Sequence, residues 1–117
     1  DPGRARLLVM RQVGPGRELI LGARDDAAVG TVVLAGLGGV HAEVLRDVAL
    51  RVPPLAGRDA DDMLASLRGA PLLAGHRGEP GVDLPAVKDA ILRVAALAEA
   101  LPRLLELDVN PLLALPP

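Results

Sequence analysis

The sequence contains no cysteine and no phenylalanine, tyrosine or tryptophan. Without cysteine there is neither a disulfide bond nor a thiolate metal site, and this composition is compatible with a reducing cytoplasm, where we expect the protein to reside. Without aromatic rings, the stacking surfaces that bind single-stranded nucleic acid are missing. The formal net charge of -2 also gives no basic surface for a phosphate backbone. We therefore expect no nucleic-acid partner.

Long hydrophobic runs are also missing. No apolar stretch approaches the roughly 20 residues that span a bilayer, and the start, DPGRARLLVM, lacks the hydrophobic run of a signal peptide, so we expect no membrane partner. Half of the 117 residues are nevertheless hydrophobic and 24% are charged, a balance typical of folded proteins. The length predicts a single domain over residues 1–117, with a core of Leu, Val, Ala and Ile.

The first half of the chain reads as a meander of β-strands. Apolar and β-branched segments punctuated by Gly and Pro predict strands at 5–13, 17–23 and 31–36, with turns at 14–16 and 24–30. Apolar residues in 40–52 fall mostly on alternate positions, which favours extended structure with a break near Asp47. A helix is the alternative for this segment.

The second half predicts two helices and a late strand. Residues 58–69 suit a helix with Asp59 as N-cap and Gly69 at its end, and residues 70–82 read as a loop. Asp83 as N-cap and apolar residues from Val87 to Leu101 at spacings of three and four predict an amphipathic helix over 83–101. A strand at 102–115 completes an α+β fold, a mainly antiparallel sheet with two main helices packed on it.

Asp108 and Asn110 stand out in the apolar final strand. Two residues apart, they share one face, and Mg²⁺ is commonly held by one or two such oxygens together with phosphate oxygens and water. From the residues alone, a purely structural role explains Asp108 and Asn110 equally well. The GLGG cluster at 36–39 can turn backbone N–H groups toward a phosphate, although a turn that needs positive φ is the simpler explanation.

Other polar residues allow structural explanations. Glu43 and Asp47, four residues apart, are more simply explained as solvated or paired with Arg46 and Arg51 than as functional. Arg77, in HRGEP, suits either a phosphate or carboxylate ligand or a salt bridge that pins its own loop.

The two histidines, His41 and His76, have neither the spacing of metal ligands nor that of a catalytic triad. Surface or structural roles are the default for both.

Four segments occur in an order and spacing typical of one family. They are GRELILGARDD, GLGGVHAEVLRDVALRVPP, LLAGHRGEPGVD and ELDVNPLL. Through them the chain resembles the ATP-grasp region of NDP-forming acyl-CoA synthetases, such as the ADP-forming acetate–CoA ligases and, more distantly, the succinyl-CoA synthetase β subunit. The resemblance implies Mg²⁺ and ATP or ADP held between two α+β subdomains, of which this chain is the C-terminal one. It implies conversion of acyl-CoA, ADP and phosphate to carboxylate, CoA and ATP through a phosphohistidine on another domain.

The resemblance also implies roles for particular residues. Asn110 matches the asparagine of the family's NPL motif, a Mg²⁺ ligand, and Asp108 matches an acidic position near the phosphohistidine, which makes it the catalytic candidate. The candidate nucleotide-binding residues match recurrent acidic positions and the glycine turn of the family: they are Glu18, Glu43, Gly38 and Gly39.

The chain departs from the family pattern in two ways. Val29-Gly30-Thr31 stands where Phe-Gly-Pro is common, and the family's lysine-bearing nucleotide subdomain and second metal-binding aspartate have no counterpart here. We therefore expect a truncated subdomain that offers half a nucleotide cleft and binds Mg-ATP weakly by itself. The implied partners are the CoA-binding and ligase domains of a parent protein or a partner subunit. The alternative function is a non-catalytic, synthetase-like regulatory module of a protein lysine acetyltransferase.

Overall fold

The computed structural model describes residues 7–39 and 42–117, without the side chain of Glu43. The elements are β1 (Arg17–Asp26), β2 (Gly30–Leu37), α1 (Ala42–Leu45), β3 (Val48–Arg51), α2 (Gly57–Ser66), α3 (Ala70–Ala74), β4 (Gly75–His76), β5 (Glu79–Pro80), α4 (Leu84–Ala100) and β6 (Glu106–Ala114). Four strands form an antiparallel sheet in the order β3-β2-β1-β6, and β4 and β5 form a separate hairpin. The predicted α+β fold is confirmed, including a last strand that joins the early sheet.

The core lies on one face of the four-stranded sheet. Alternate residues of β1, Leu19, Leu21 and Ala23, point into it because successive side chains of a strand face opposite sides. The helices α2 and α4 cover this face with their apolar stripes, in which Met63 and Ile91 are fully buried. Burial of each such large side chain contributes about 1.5–3 kcal/mol.

Helix α4 begins and ends close to the predicted positions. The Asp83 carboxylate accepts a hydrogen bond from the backbone N–H of Ala86 at 2.9 Å, as an N-cap does. The predicted stripe is buried from Val87 to Ala98, but Leu101 is not part of it. Leu101 follows the last helical residue and is 47% exposed, since the chain has already left the helix there.

The predicted strand at 5–13 is wrong in its described part. Residues 7–13 form no strand, and the side chains of Leu7 and Val9 are 92% and 94% exposed. The reason is the sheet order: β2 and β6 occupy both edges of β1, so no edge remains for a hairpin partner at 5–13.

Three further segments differ from the predictions. The turn at 24–30 is shorter, because β1 continues to Asp26, whose carboxylate accepts the N–H groups of Ala28 and Val29 at 2.9 and 3.3 Å. Within 42–52 the helical alternative is correct for α1, and extended structure resumes at β3. The predicted loop at 70–82 contains α3 and the β4–β5 hairpin.

Helix α2 begins earlier than predicted. Its N-cap is Ala56, and Asp59 lies one turn inside, where its carboxylate accepts the backbone N–H of Ala56 at 2.7 Å. Asp59 thus stabilises the helix start from within, in the manner of the acid of a capping box. The helix ends at Ser66, before Gly69, because Leu67 adopts extended backbone angles.

Asp47 is a structural acid. Its carboxylate accepts the backbone N–H groups of Arg68 and Gly69, each at 2.8 Å, and its side chain is 11% exposed. Its carbonyl accepts the N–H of Leu37 at 3.0 Å. Its ion pair, at 3.9 Å, is with Arg68, and the guanidinium of Arg51 donates to the carbonyl of Leu50 instead. Asp47 therefore ties the end of β2 to the connection between α2 and α3.

Among residues 7–39 and 42–117, no helix has the length and apolar character needed to cross a membrane.

We predict that Asp47→Ala lowers the free energy of unfolding by about 2 kcal/mol, because the backbone N–H groups of Arg68 and Gly69 both lose a charged acceptor. Urea unfolding followed by circular dichroism measures this. Asp62→Ala is the matched control, since Asp62 is exposed on α2 and has no partner in the part of the chain that the structure describes. We expect it to change stability by less than about 0.5 kcal/mol. Equal effects of the two substitutions would contradict the role of Asp47.

Candidate functional site

A β-bulge in β6 determines which of its side chains face away from the helices. Leu19 pairs with Leu112 and Leu21 with Val109, so the two residues Asn110 and Pro111 stand opposite Ile20 alone. Pro111, which has no N–H to donate, is accommodated because β6 is an edge strand and the bulge needs one donor fewer.

The bulge shifts the alternation of β6 by one residue. Leu107 and Val109 face the core before it, and Leu112 and Ala114 face the core after it. Asp108 lies between the first two and points to the opposite, open face of the sheet, as does Asn110 at the bulge. Both are exposed, and they lie opposite Gly22 and Ile20, which share the side of β1 that faces away from the core, so the predicted sharing of one face agrees with the register.

On the open face, apolar side chains are bordered by polar ones, and together they line a shallow cavity of about 470 Å³. The apolar lining includes Val32, Leu34, Val48 and Leu50, and the polar border includes Arg24, Glu106 and Asp108. Arg24 and Glu106 lie opposite each other in the register of β1 with β6, two residues along from the pair of Gly22 with Asp108. Arg24 and Glu106 could not be recognised from the sequence as neighbours of Asp108, because only the register of β1 with β6 places them there.

The candidate polar side chains on this face have no partner in the described chain, whereas Arg24 at its edge lies 3.8 Å from the carboxylate of Asp26. Within 7–39 and 42–117, no residue forms a hydrogen bond or an ion pair with the side chains of Glu18, Asp108 or Asn110. Nor do the described residues contain a cluster of three or more acids or histidines that could enclose a metal by themselves. One carboxylate and one carboxamide oxygen do fit Mg²⁺ that takes its remaining ligands from phosphate and water.

Glu18, Gly38 and Gly39 meet at the same end of the sheet. The N–H of Gly38 donates to the carbonyl of Glu18 at 2.8 Å, and a Cβ added to Gly38 would lie 3.1 Å from the Glu18 carbonyl carbon. Gly39 has φ +96°, and a Cβ there would lie 3.8 Å from Glu18 Oε2. The two glycines are therefore required by a turn and by a close backbone approach, whether or not they also contact a ligand.

The candidate residues thus form two groups on the sheet. On β1, Glu18 is four residues from Gly22, the partner of Asp108, which separates the two groups by about 13 Å along the strand. Asn110, opposite Ile20, lies between them. Of Glu43 only the backbone in α1 is described, and its predicted role lies outside the described part of the structure.

A protein-family model for the ATP-grasp domain matches residues 3–116, and the chain belongs to this family. In sequence the chain is 41% identical over 108 residues to the β subunit of acetate–CoA ligase [ADP-forming] I of Pyrococcus furiosus, covering 92% of this chain and 47% of that subunit. It is 37% identical over 109 residues to 4-hydroxybutyrate–CoA ligase [ADP-forming] of Nitrosopumilus maritimus, covering 93% of this chain and 16% of that protein.

The fold is similar to that of a solved relative. Acetyl-coenzyme A synthetase 1 of Ca. Korarchaeum cryptofilum, in complex with coenzyme A and Mg-AMPPCP, superposes with a TM-score of 0.85 at 41% identity. The match covers 89% of this chain and 49% of that one. The chain thus spans about half of the solved chain, about half of the Pyrococcus subunit and a smaller share of the Nitrosopumilus protein.

We predict that Gly38→Ala lowers the free energy of unfolding by about 1–3 kcal/mol, because the new methyl group presses on the Glu18 backbone, which cannot rotate away as a side chain could. Thermal and urea unfolding measure the effect. Gly14→Ala is the matched control, since a Cβ there has no neighbour within 4 Å. If Gly38→Ala proved as stable as the control, the close approach of Gly38 and Glu18 would be wrong.

Proposed function

We propose that these 117 residues are the C-terminal ATP-grasp subdomain of an ADP-forming acid–CoA ligase and contribute one wall of its Mg-nucleotide cleft. The observation that carries the proposal is the open face on which the β6 bulge presents Asp108 and Asn110, neither of which has a side-chain partner among the described residues. Membership in the ATP-grasp family supports it, as do the relatives, which are named as ADP-forming acid–CoA ligases.

Asn110 is the proposed metal ligand of this subdomain. A carboxamide oxygen binds a hard cation without adding a negative charge beside the phosphates. When bound, Mg²⁺ would neutralise negative charge on the β- and γ-phosphates. The role of the asparagine is to fix the position of that charge, and the pairs on either side of the bulge, Leu21 with Val109 and Leu19 with Leu112, hold the backbone that carries it.

Asp108 is the proposed catalytic residue. Its carboxylate is exposed two residues from Asn110, where an imidazole of another domain can reach it. A carboxylate that accepts one imidazole N–H fixes the orientation of the other ring nitrogen and stabilises positive charge on the ring. Glu18, Glu43 and the turn at Gly38–Gly39 are proposed to line the nucleotide end of the cleft.

The partners in this proposal are ATP or ADP and the CoA-binding and ligase domains that carry the phosphohistidine, in the same protein or in a partner subunit. The absence of cysteine is in keeping with a cytoplasmic location. The acyl group differs between the relatives, acetate in one name and 4-hydroxybutyrate in another. No observation favours the alternative function as a regulatory module of a lysine acetyltransferase.

We predict that Asn110→Ala in the complete protein lowers the rate of ADP-dependent acyl-CoA conversion about 100-fold, equivalent to ~3 kcal/mol of lost electrostatic stabilisation. A coupled assay of ATP formation measures it, and Asn110→Asp should retain more activity because it keeps the oxygen. Glu99→Ala is the control, because Glu99 is exposed on the helix layer, away from the open face. Turnover of Asn110→Ala equal to that of the control would contradict the assignment of Asn110 as a metal ligand.

A further inference from the structure

Arg77 occupies a backbone conformation that arginine rarely adopts. His76 pairs with Glu79, so the β4–β5 hairpin turns over Arg77 and Gly78 alone, and these two residues have φ +49° and +85°. Positive φ at both central positions defines the type I′ turn, in which Asn, Asp and Gly are preferred because a larger side chain crowds the backbone. An arginine at this position is unfavourable for the turn itself, which points to a use for its side chain.

The guanidinium is not used within the described chain. Arg77 is exposed, and no carboxylate in 7–39 and 42–117 pairs with it. The nearest acid in sequence, Glu79, pairs instead with Arg17 at the start of β1. The salt bridge that pins this loop is therefore made by Glu79, and the tip of the hairpin keeps an uncompensated positive charge.

The base of the hairpin is closely packed. The N–H of Val82 donates to the carbonyl of Leu73 at 2.9 Å, which closes the chain around the hairpin. A Cβ on Gly81 would lie 2.6 Å from the carbonyl oxygen of Ala74, and one on Gly75 would lie 2.9 Å from the N atom of Gly81. Together with the Arg17–Glu79 pair, these contacts hold the turn in a fixed place, so little freedom is lost when Arg77 binds.

The position of the hairpin distinguishes between the two oxyanions that a guanidinium binds best, carboxylate and phosphate. Arg17, which forms the ion pair with Glu79 of the hairpin, lies on the same side of β1 as the core-facing Leu19. Its partner across the sheet is the buried Ala114. The hairpin is thus attached on the helix side of the sheet, whereas the proposed nucleotide site is on the open face. A phosphate of the nucleotide is the poorer fit.

We propose that Arg77 is an anchor for a carboxylate of the polypeptide outside these 117 residues, on a domain or subunit that packs against the β4–β5 hairpin. This inference rests on the proposed function in one respect: the chain is taken to be part of a larger protein. The relatives support this, because the chain covers about half or less of each. Arg77 would make a two-pronged contact that fixes that domain relative to the sheet.

Carbodiimide cross-linking of the complete protein tests this, because the reagent joins an amine directly to a carboxylate in contact with it. Arg77→Lys places an amine at the hairpin tip, and Arg58→Lys places one on α2, where Arg58 is exposed and unpaired in the described chain. We expect Arg77→Lys to give about tenfold more cross-linked peptide than Arg58→Lys, joined to an acid outside residues 1–117. The yield should fall at about 1 M salt, where charges are screened within ~3 Å.

Two results would overturn the proposal. One is a yield from Arg77→Lys no greater than from Arg58→Lys, or a link to an acid within residues 1–117. The other is suppression of the link by added ADP or coenzyme A, which would assign Arg77 to a phosphate. If the variant does not fold, Arg77→Asn replaces it: Asn suits the turn, and the proposal then requires the contact with the outside segment to be lost, as hydrogen exchange of that segment reports. None of these measurements depends on ligase activity. Failure of the Arg77 proposal can therefore be distinguished from failure of the proposed function.

Discussion

The pairing of β1 with β6 is the constraint on which the rest of the structure depends. A strand whose side chains strictly alternate could bury Leu107 and Val109, but it would then expose Leu112 and Ala114. The two residues at the bulge, Asn110 and Pro111, restore the phase, so that β6 contributes to the core at both of its ends. The same local irregularity places a carboxamide on the open face, next to a carboxylate, where the helices do not cover it.

Two groups of acids in the described chain differ in what they accept. Asp26, Asp47, Asp59 and Asp83 accept backbone N–H groups at turns and helix starts, and they are explained by the fold. Glu18 and Asp108, on the open face, accept no hydrogen bond from the described chain. A sheet with one face covered by helices and the other left with free polar groups is the physical basis for assigning the ligand to the open side.

Much of this architecture could be predicted from the sequence because the signals are local. Helix α4 follows from an apolar period and an N-cap at Asp83, and the shared face of Asp108 and Asn110 follows from their spacing of two. The strand at 5–13 was predicted wrongly because local propensity says nothing about whether an edge of β1 is free. Likewise, the partner of Asp47 is more than twenty residues away, on a backbone that only the tertiary fold brings close.

The central claim is that the open face of the sheet, and not the helical side, holds the metal-nucleotide. Paramagnetic broadening by Mn²⁺-ADP tests it most directly, in the complete protein with isotope label confined to these 117 residues. We expect the amide signals of Asp108, Val109 and Asn110 to broaden first, while those of α2 and the middle of α4 remain sharp. Broadening centred on the helices, or none on β6 at a saturating concentration of the complex, would contradict it.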